Sequence, residues 1–239
     1  MLEVKNLKKR FGDFEAVKDV SFGVNEGEVL GFLGPNGAGK STTMRMITGF
    51  LPPTEGTAVI CGHDITSDPI AAKAALGYLP ESAPSYKAMT VRDYLKFVAE
   101  VRGLVDVKRA VADVIVKAKL EGVAAQTIET LSKGYRQRTA FAAAIIHDPK
   151  VLIMDEPTDG LDPNQKFTVR EMIKDMAAQG KAIIISTHIL EEVDAVCSKV
   201  VVIADGEKKF DGTPSELKAM DPSGKLDVVF RNLTMEEAK

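Results

Sequence analysis

The chain has no tryptophan, only two cysteines and no long apolar run. Intrinsic fluorescence would come from four tyrosines alone. Cys61 and Cys197 are far apart and show no metal-ligand spacing. Both sit in apolar sequence, so they are expected to be reduced core residues of a cytosolic protein. No apolar stretch reaches the ~18–20 residues that span a bilayer. The start, Met1-Leu2-Glu3-Val4-Lys5, lacks the basic region and apolar stretch of a signal peptide. A formal net charge of −3 gives no overall pull toward nucleic acid or an anionic membrane. No nucleic-acid partner is expected. Internal repeats, low-complexity tracts and long linkers are also missing.

What is present suits a globular α/β protein. The 239 residues can bury a sizeable core, in one large domain or two small lobes. Strands are expected at Leu2 to Leu7, Val17 to Val24 and Val29 to Leu33. A helix follows at Ser41 to Thr48, stopped by Gly49. Pro52 to Gly56 reads as a turn and Thr57 to Cys61 as a strand. Ile70 to Ala75 reads as a helix and Leu76 to Leu79 as a strand. From Thr90 to about Ile146 glycine and proline become scarce. Apolar residues there recur at three and four, as in Val91, Leu95, Val98 and Val101. This predicts a helical insertion, with Asp106 opening one helix and Gly122 closing another. Alternation then resumes: Val151 to Met154, Asn164 to Ala178, Lys181 to Ser186, His188 to Val196, Val200 to Ala204. A second strand–helix series predicts a mostly parallel sheet covered by helices.

Two stretches carry chemistry. Gly34-Pro35-Asn36-Gly37-Ala38-Gly39-Lys40-Ser41 lies between a predicted buried strand and a predicted helix. Three glycines let the backbone curl with its N–H groups inward, as an anion-binding nest. The helix N-terminus, where Thr42 follows, adds partial positive charge. Lys40 would reach the β- and γ-phosphates of a nucleotide, and the Ser41 hydroxyl would bind Mg²⁺. The alternative is a plain glycine turn. The second stretch is Val151-Leu152-Ile153-Met154-Asp155-Glu156, four apolar residues followed by two carboxylates. Ligands in open α/β sheets bind at the carboxyl ends of strands. Asp155 there would hold Mg²⁺ through water, and Glu156 would orient or deprotonate an attacking water. The alternative is a surface acidic turn.

With both in place, the chain resembles the ATP-binding subunit of ATP-binding cassette (ABC) transporters over nearly its whole length. The distinguishing residues are Leu131-Ser132-Lys133-Gly134-Tyr135-Arg136-Gln137-Arg138. They resemble the family's signature motif at Leu131, Ser132 and Gly134. Lys133 stands where Gly is usual and Tyr135 where Gln is usual. That variant is similar to bacterial exporter-type ATPases of gliding-motility and drug-export systems. The resemblance implies a phosphate-loop NTPase core with a mainly parallel sheet. It also implies an N-terminal antiparallel β-subdomain, and one domain over 1–239 with a helical subdomain inserted at about 88–147.

Further roles follow from the resemblance. Phe11 matches the aromatic that stacks on adenine. Glu81 stands where a Gln usually senses Mg²⁺ and the γ-phosphate, and a carboxylate could ligate the metal too. Asp162, in Gly160-Leu161-Asp162, matches a loop that crosses to the partner subunit. His188 matches the switch histidine that positions Glu156 and the water. Glu191-Glu192 reads as a solvated helix face. The family reading implies two ATPase subunits, a homodimer paired head to tail around two ATP–Mg²⁺. Ser132 and Gly134 of each chain would serve the nucleotide of the other. It implies a cytoplasmic subunit, peripheral on the membrane through a separate permease, and an export direction. The rival is a soluble ABC ATPase of a cytosolic assembly system, such as iron–sulfur cluster assembly.

Overall fold

A computed structural model describes residues 1–82 and 86–235. The chain opens with β1 (Leu2–Phe11), β2 (Phe14–Val24) and β3 (Val29–Leu33). Next come α1 (Lys40–Ile47), β4 (Glu55–Ile60), β5 (His63–Asp64), α2 (Pro69–Ala74) and β6 (Leu76–Leu79). Three helices follow: α3 (Val91–Val101), α4 (Val107–Lys117) and α5 (Lys133–Ile145). Alternation resumes with β7 (Val151–Asp155), α6 (Pro163–Ala178), β8 (Ala182–Thr187), α7 (Leu190–Val196) and β9 (Lys199–Ala204). The described chain closes with β10 (Glu207–Gly212), α8 (Pro214–Lys218) and α9 (Leu226–Thr234).

All these strands join one sheet in the order β5-β4-β1-β2-β10-β9-β3-β8-β7-β6. From β9 to β6 the pairings are parallel. The β1–β2, β1–β4 and β4–β5 pairings are antiparallel, as is β9–β10. A phosphate-loop NTPase fold with a mixed sheet is therefore what the chain adopts.

The parallel strands read as unbroken apolar runs because both faces are covered. In β7, Val151 and Ile153 join one core while Leu152 and Met154 join the other. In β8, Ala182 and Ile184 go one way and Ile183 and Ile185 the other. The first core lies under α1 and the N-terminal strands. The second lies under α5 and α6, and α3, α4 and α5 pack on one another beside it.

Helix starts follow local chemistry. Thr90, Asp106, Ser132 and Asp162 each accept a hydrogen bond from the backbone N–H three residues on. Each satisfies an amide that has no partner inside its helix. The expected opening at Asp106 is thus present. Gly122 closes no α-helix. It lies in a short 3₁₀ turn, Glu121–Val123, and α4 ends earlier at Lys117, with Lys119 left-handed at φ 54°. The first hairpin is longer than its apolar pattern suggests, because the polar, bulged run Lys8 to Arg10 is still paired and Phe11 beyond it pairs with Phe14. Strand β10 was not anticipated either. It carries charges of both signs and gains its place by pairing with the apolar β9.

The cysteine expectation fails at Cys61. That residue follows β4 at φ 52° and is exposed, because the chain turns outward at Gly62. Cys197 is mostly buried, and burial pushes its thiol up to about 12, so it stays protonated.

Candidate active site

The phosphate loop connects the end of β3 to α1. Gly39, the residue before α1, sits at φ 100°, a backbone region closed to side chains. A Cβ there would also stand 2.6 Å from the Ala16 carbonyl oxygen. No side chain caps α1 and its first turn holds no acid, so no side-chain carboxylate there competes with an anion for its leading amides. Lys40 is only 6% exposed. Its Nζ donates to the carbonyls of Gly34 at 2.7 Å and Pro35 at 3.1 Å. Burial lowers its pKa, opposed by the negative charges of Glu156, Asp155 and Glu81. The ammonium thus rests on neutral carbonyls in the place where phosphate oxygens would bring full compensation.

The paired carboxylates stand at the adjoining strand end. Ser186 Oγ donates to Asp155 Oδ1 and accepts from the Glu156 N–H at 3.2 Å. One hydroxyl on β8 therefore fixes both residues at the end of β7. Glu156 is left-handed, at φ 49°. That conformation is strained for a non-glycine residue, and it turns the side chain out of the strand's alternation. Glu156 Oε1 lies 3.0 Å from His188 Nδ1 and 3.9 Å from Lys40 Nζ. Its Oε2 is buried without any hydrogen-bond partner. A buried carboxylate oxygen left open is costly unless something polar comes to it. A water held for attack would satisfy it.

A cavity of about 540 Å³ brings these groups together. Asn36, Gly37, Gly39, Lys40, Ser41 and Thr42 form its floor. Glu81, Glu156 and His188 stand on one side and Phe11 on another. Three lining residues escaped the sequence reading, Phe14, Ala16 and Asp159. Phe14 faces Phe11 across the first hairpin, a relation that needs the strand register to be seen. Asp155 does not line this cavity. It borders the neighbouring one, which Glu81 also lines, so Glu81 stands between the two.

Ser132, Gly134 and Asp162 lie outside the lining of their own chain's cavity. Ser132 and Asp162 are exposed on a second surface, and Gly134 is buried beside them. Ser132 Oγ accepts from the Tyr135 N–H at 3.4 Å, and Asp162 Oδ1 from the Gln165 N–H at 3.0 Å. Gln137 Nε2 donates to the Pro157 carbonyl at 3.0 Å, and Lys133 Nζ reaches Asp159 Oδ2 at 3.5 Å. A Cβ on Gly134 would meet the Gln165 amide, so any larger residue would have to push that side chain aside. The segment 157–165 and the start of α5 are therefore fastened side by side.

Mg²⁺ fits the donors that are present. Ser41, Asp155 and Glu81 offer oxygen, which a hard cation prefers. Among the described residues no group of three or more His, Cys, Asp or Glu closes around a metal. That suits a cation that keeps substrate phosphate and water ligands rather than an all-protein cage.

Of the acidic pair at the start of α7, Glu191 is exposed as expected and Glu192 is not. Glu192 is 2% exposed, not solvated. Arg170 on α6 grips it with two bonds, Nε to Oε2 at 3.0 Å and Nη2 to Oε1 at 2.6 Å. This fork joins α6, which follows Asp162, to α7, which follows His188. Removing one member of a buried pair leaves the other charge uncompensated. Arg170→Ala is expected to lower stability by roughly 3 kcal/mol. Urea unfolding measures it, and an unchanged midpoint would show that the fork carries no stability.

Comparison with known proteins agrees with this geometry. A family model described as "ABC transporter" matches residues 17–159. The chain belongs to the ABC transporter family. It is 37% identical over 219 residues to the linearmycin resistance ATP-binding protein of Bacillus subtilis (strain 168), covering 91% of this chain and 70% of that protein. It is 38% identical to the Nod factor export ATP-binding protein I of Burkholderia orbicola (strain AU 1054), covering 90% and 72%. A solved ATP-binding subunit of an ABC transporter superposes with a TM-score of 0.88 at 30% identity, covering 98% of this chain and all of that one. A dimeric ATP-binding cassette with ADP and phosphate shares the fold, with a TM-score of 0.80 at 23% identity over 89% and 98%. As a member of this ABC family, the chain is an ATP-binding subunit of the exporter type and an ATPase.

Proposed function

We propose that the chain powers export through a separate membrane permease, as one domain over 1–239 with a helical insertion at about 88–147. Two copies would pair head to tail around two ATP molecules. Apart from Pro35, which has no N–H, the amides of Gly34 to Thr42 would cradle the phosphates, and Lys40 would leave its carbonyls for the β- and γ-phosphates. Phe11 would stack on adenine. Glu156 would take up the attacking water at Oε2, while His188 holds Oε1 and steadies the carboxylate. Ser132 and Gly134, with Asp162 close by, would reach the partner's nucleotide. Mg²⁺, held by Ser41 and Asp155 with Glu81 beside it, would neutralise phosphate charge. The observation that carries this reading is the open Glu156 oxygen beside Lys40 and His188, above the phosphate loop.

The permease contact fits the second cavity, about 570 Å³, between α1, the end of β6, α3 and α5. Phe50, Val98 and Arg102 line it, and Glu81 joins it to the nucleotide cavity. A shift at the γ-phosphate would pass through Glu81 to whatever segment sits there. Among the described residues no helix is long and apolar enough to cross a membrane. The relatives are transport and resistance subunits, and this favours the transporter over a soluble assembly ATPase. Purification of the tagged chain from membranes tests the choice. A co-purifying integral-membrane protein that stimulates ATP hydrolysis is expected. Capture of soluble assembly proteins instead would overturn the transporter reading.

A further inference from the structure

Phe14 has no part in the roles above, yet it is a large apolar ring left 64% exposed. Phe11 beside it is 51% exposed. The two are direct partners across the Gly12-Asp13 turn. Directly opposed residues of an antiparallel pair project to the same face, so both rings overlook the phosphate loop. Both line the cavity that Lys40 and Ser41 line. Lys9 Nζ stands 5.2 Å from the centre of the Phe11 ring and takes up one of its faces. Phe11 has one face left to offer, and Phe14 supplies another.

The chemistry of the cavity is graded. Phe11, Phe14 and Ala16 are the side chains that the first hairpin gives it, and all are apolar. The charged and hydroxyl groups come from the phosphate loop and the strand ends. An apolar wall at one end and an anion nest at the other match a nucleotide, a flat base with a polyanionic tail.

We propose that Phe14 is a second aromatic wall for the base, so that the base is held by its faces rather than read along its edge. This role rests on the nucleotide occupying the cavity as proposed above. Among the described residues, the hairpin side chains that line the cavity offer no hydrogen-bonding group to a purine edge, and every purine presents a π-face. Guanine should therefore be accepted alongside adenine.

Equilibrium binding to the full chain tests the proposal, with ATP, GTP and inorganic tripolyphosphate as probes. Phe14→Ala is expected to weaken ATP and GTP alike by about tenfold, the scale of one lost base–aromatic stack. Tripolyphosphate, which has no base, should bind Phe14→Ala as it binds the wild type. Phe14→Tyr keeps the π-face and should restore nucleotide affinity. In the wild type, GTP should bind within about fivefold of ATP, because stacking tolerates either base. Wild-type ATP affinity in Phe14→Ala, an equal loss of tripolyphosphate, or exclusion of GTP would each overturn the role. Lys40→Ala separates the two levels of the reading. If it weakens all three probes, the cavity is the nucleotide site whatever Phe14 does. If it weakens none, the site reading fails and the role of Phe14 fails with it.

Discussion

Glu156→Gln is expected to slow steady-state phosphate release by ~10²–10⁴-fold, the usual cost of losing a positioned base. The amide keeps the size and the left-handed backbone of the residue, so the fold and the phosphate loop should be undisturbed. It cannot take a proton from water at the position of Oε2, the oxygen that is buried and open. ATP binding should persist, because Lys40 and the loop amides are intact. In a head-to-tail pair this variant should accumulate as an ATP-bound dimer, visible by light scattering. Hydrolysis at close to the wild-type rate would remove Glu156 from the role of base. Asp155 would not inherit that role easily. It is held by Ser186 and borders the neighbouring cavity, whereas Glu156 lines the one that holds the phosphate loop.

The second large effect separates a chain's own site from the one it completes. Lys40→Ala should weaken ATP binding by roughly 10- to 100-fold, since a charged phosphate contact is worth ~1.5–3 kcal/mol. Ser132→Arg should leave monomer affinity nearly unchanged but abolish turnover. Ser132 lies outside its own cavity, and an arginine there would obstruct the approach of a partner. Mixing the two inactive variants should restore part of the activity. A mixed dimer has one site with both lesions and one with neither. Stable mixed dimers that stay inactive would count against head-to-tail pairing, or would show that both sites must fire together. Single-turnover hydrolysis in the mixed dimer tells these apart.

Much of the site was legible because its chemistry is local. Gly34 to Ser41 is contiguous, and its nest needs only glycine conformations and a helix that starts at Lys40. Asp155 and Glu156 announce themselves by ending an apolar run, and a parallel strand buried on both faces has no other place for carboxylates than its end. Caps such as Asp106 and Asp162 satisfy amides three residues away, within reach of sequence rules.

Tertiary structure decided what depends on partners far along the chain. Glu192 looks like a surface acid until α6 places Arg170 against it, and burial follows from that pairing. Phe14 becomes part of the cavity wall only through its register with Phe11. Cys61 sits in apolar sequence, but a left-handed turn carries it to the surface. The setting of the open Glu156 oxygen arises because Ser186 and His188 at the end of β8 and Lys40 at the start of α1 converge on it from two distant segments. Sequence by itself determined the α/β class, the phosphate loop and the acidic strand end, since backbone geometry and short-range hydrogen bonds specify them. Which polar groups are paired, which remain open and which rings face the nucleotide cavity were decided by long-range packing, where burial and register assign each side chain its neighbours.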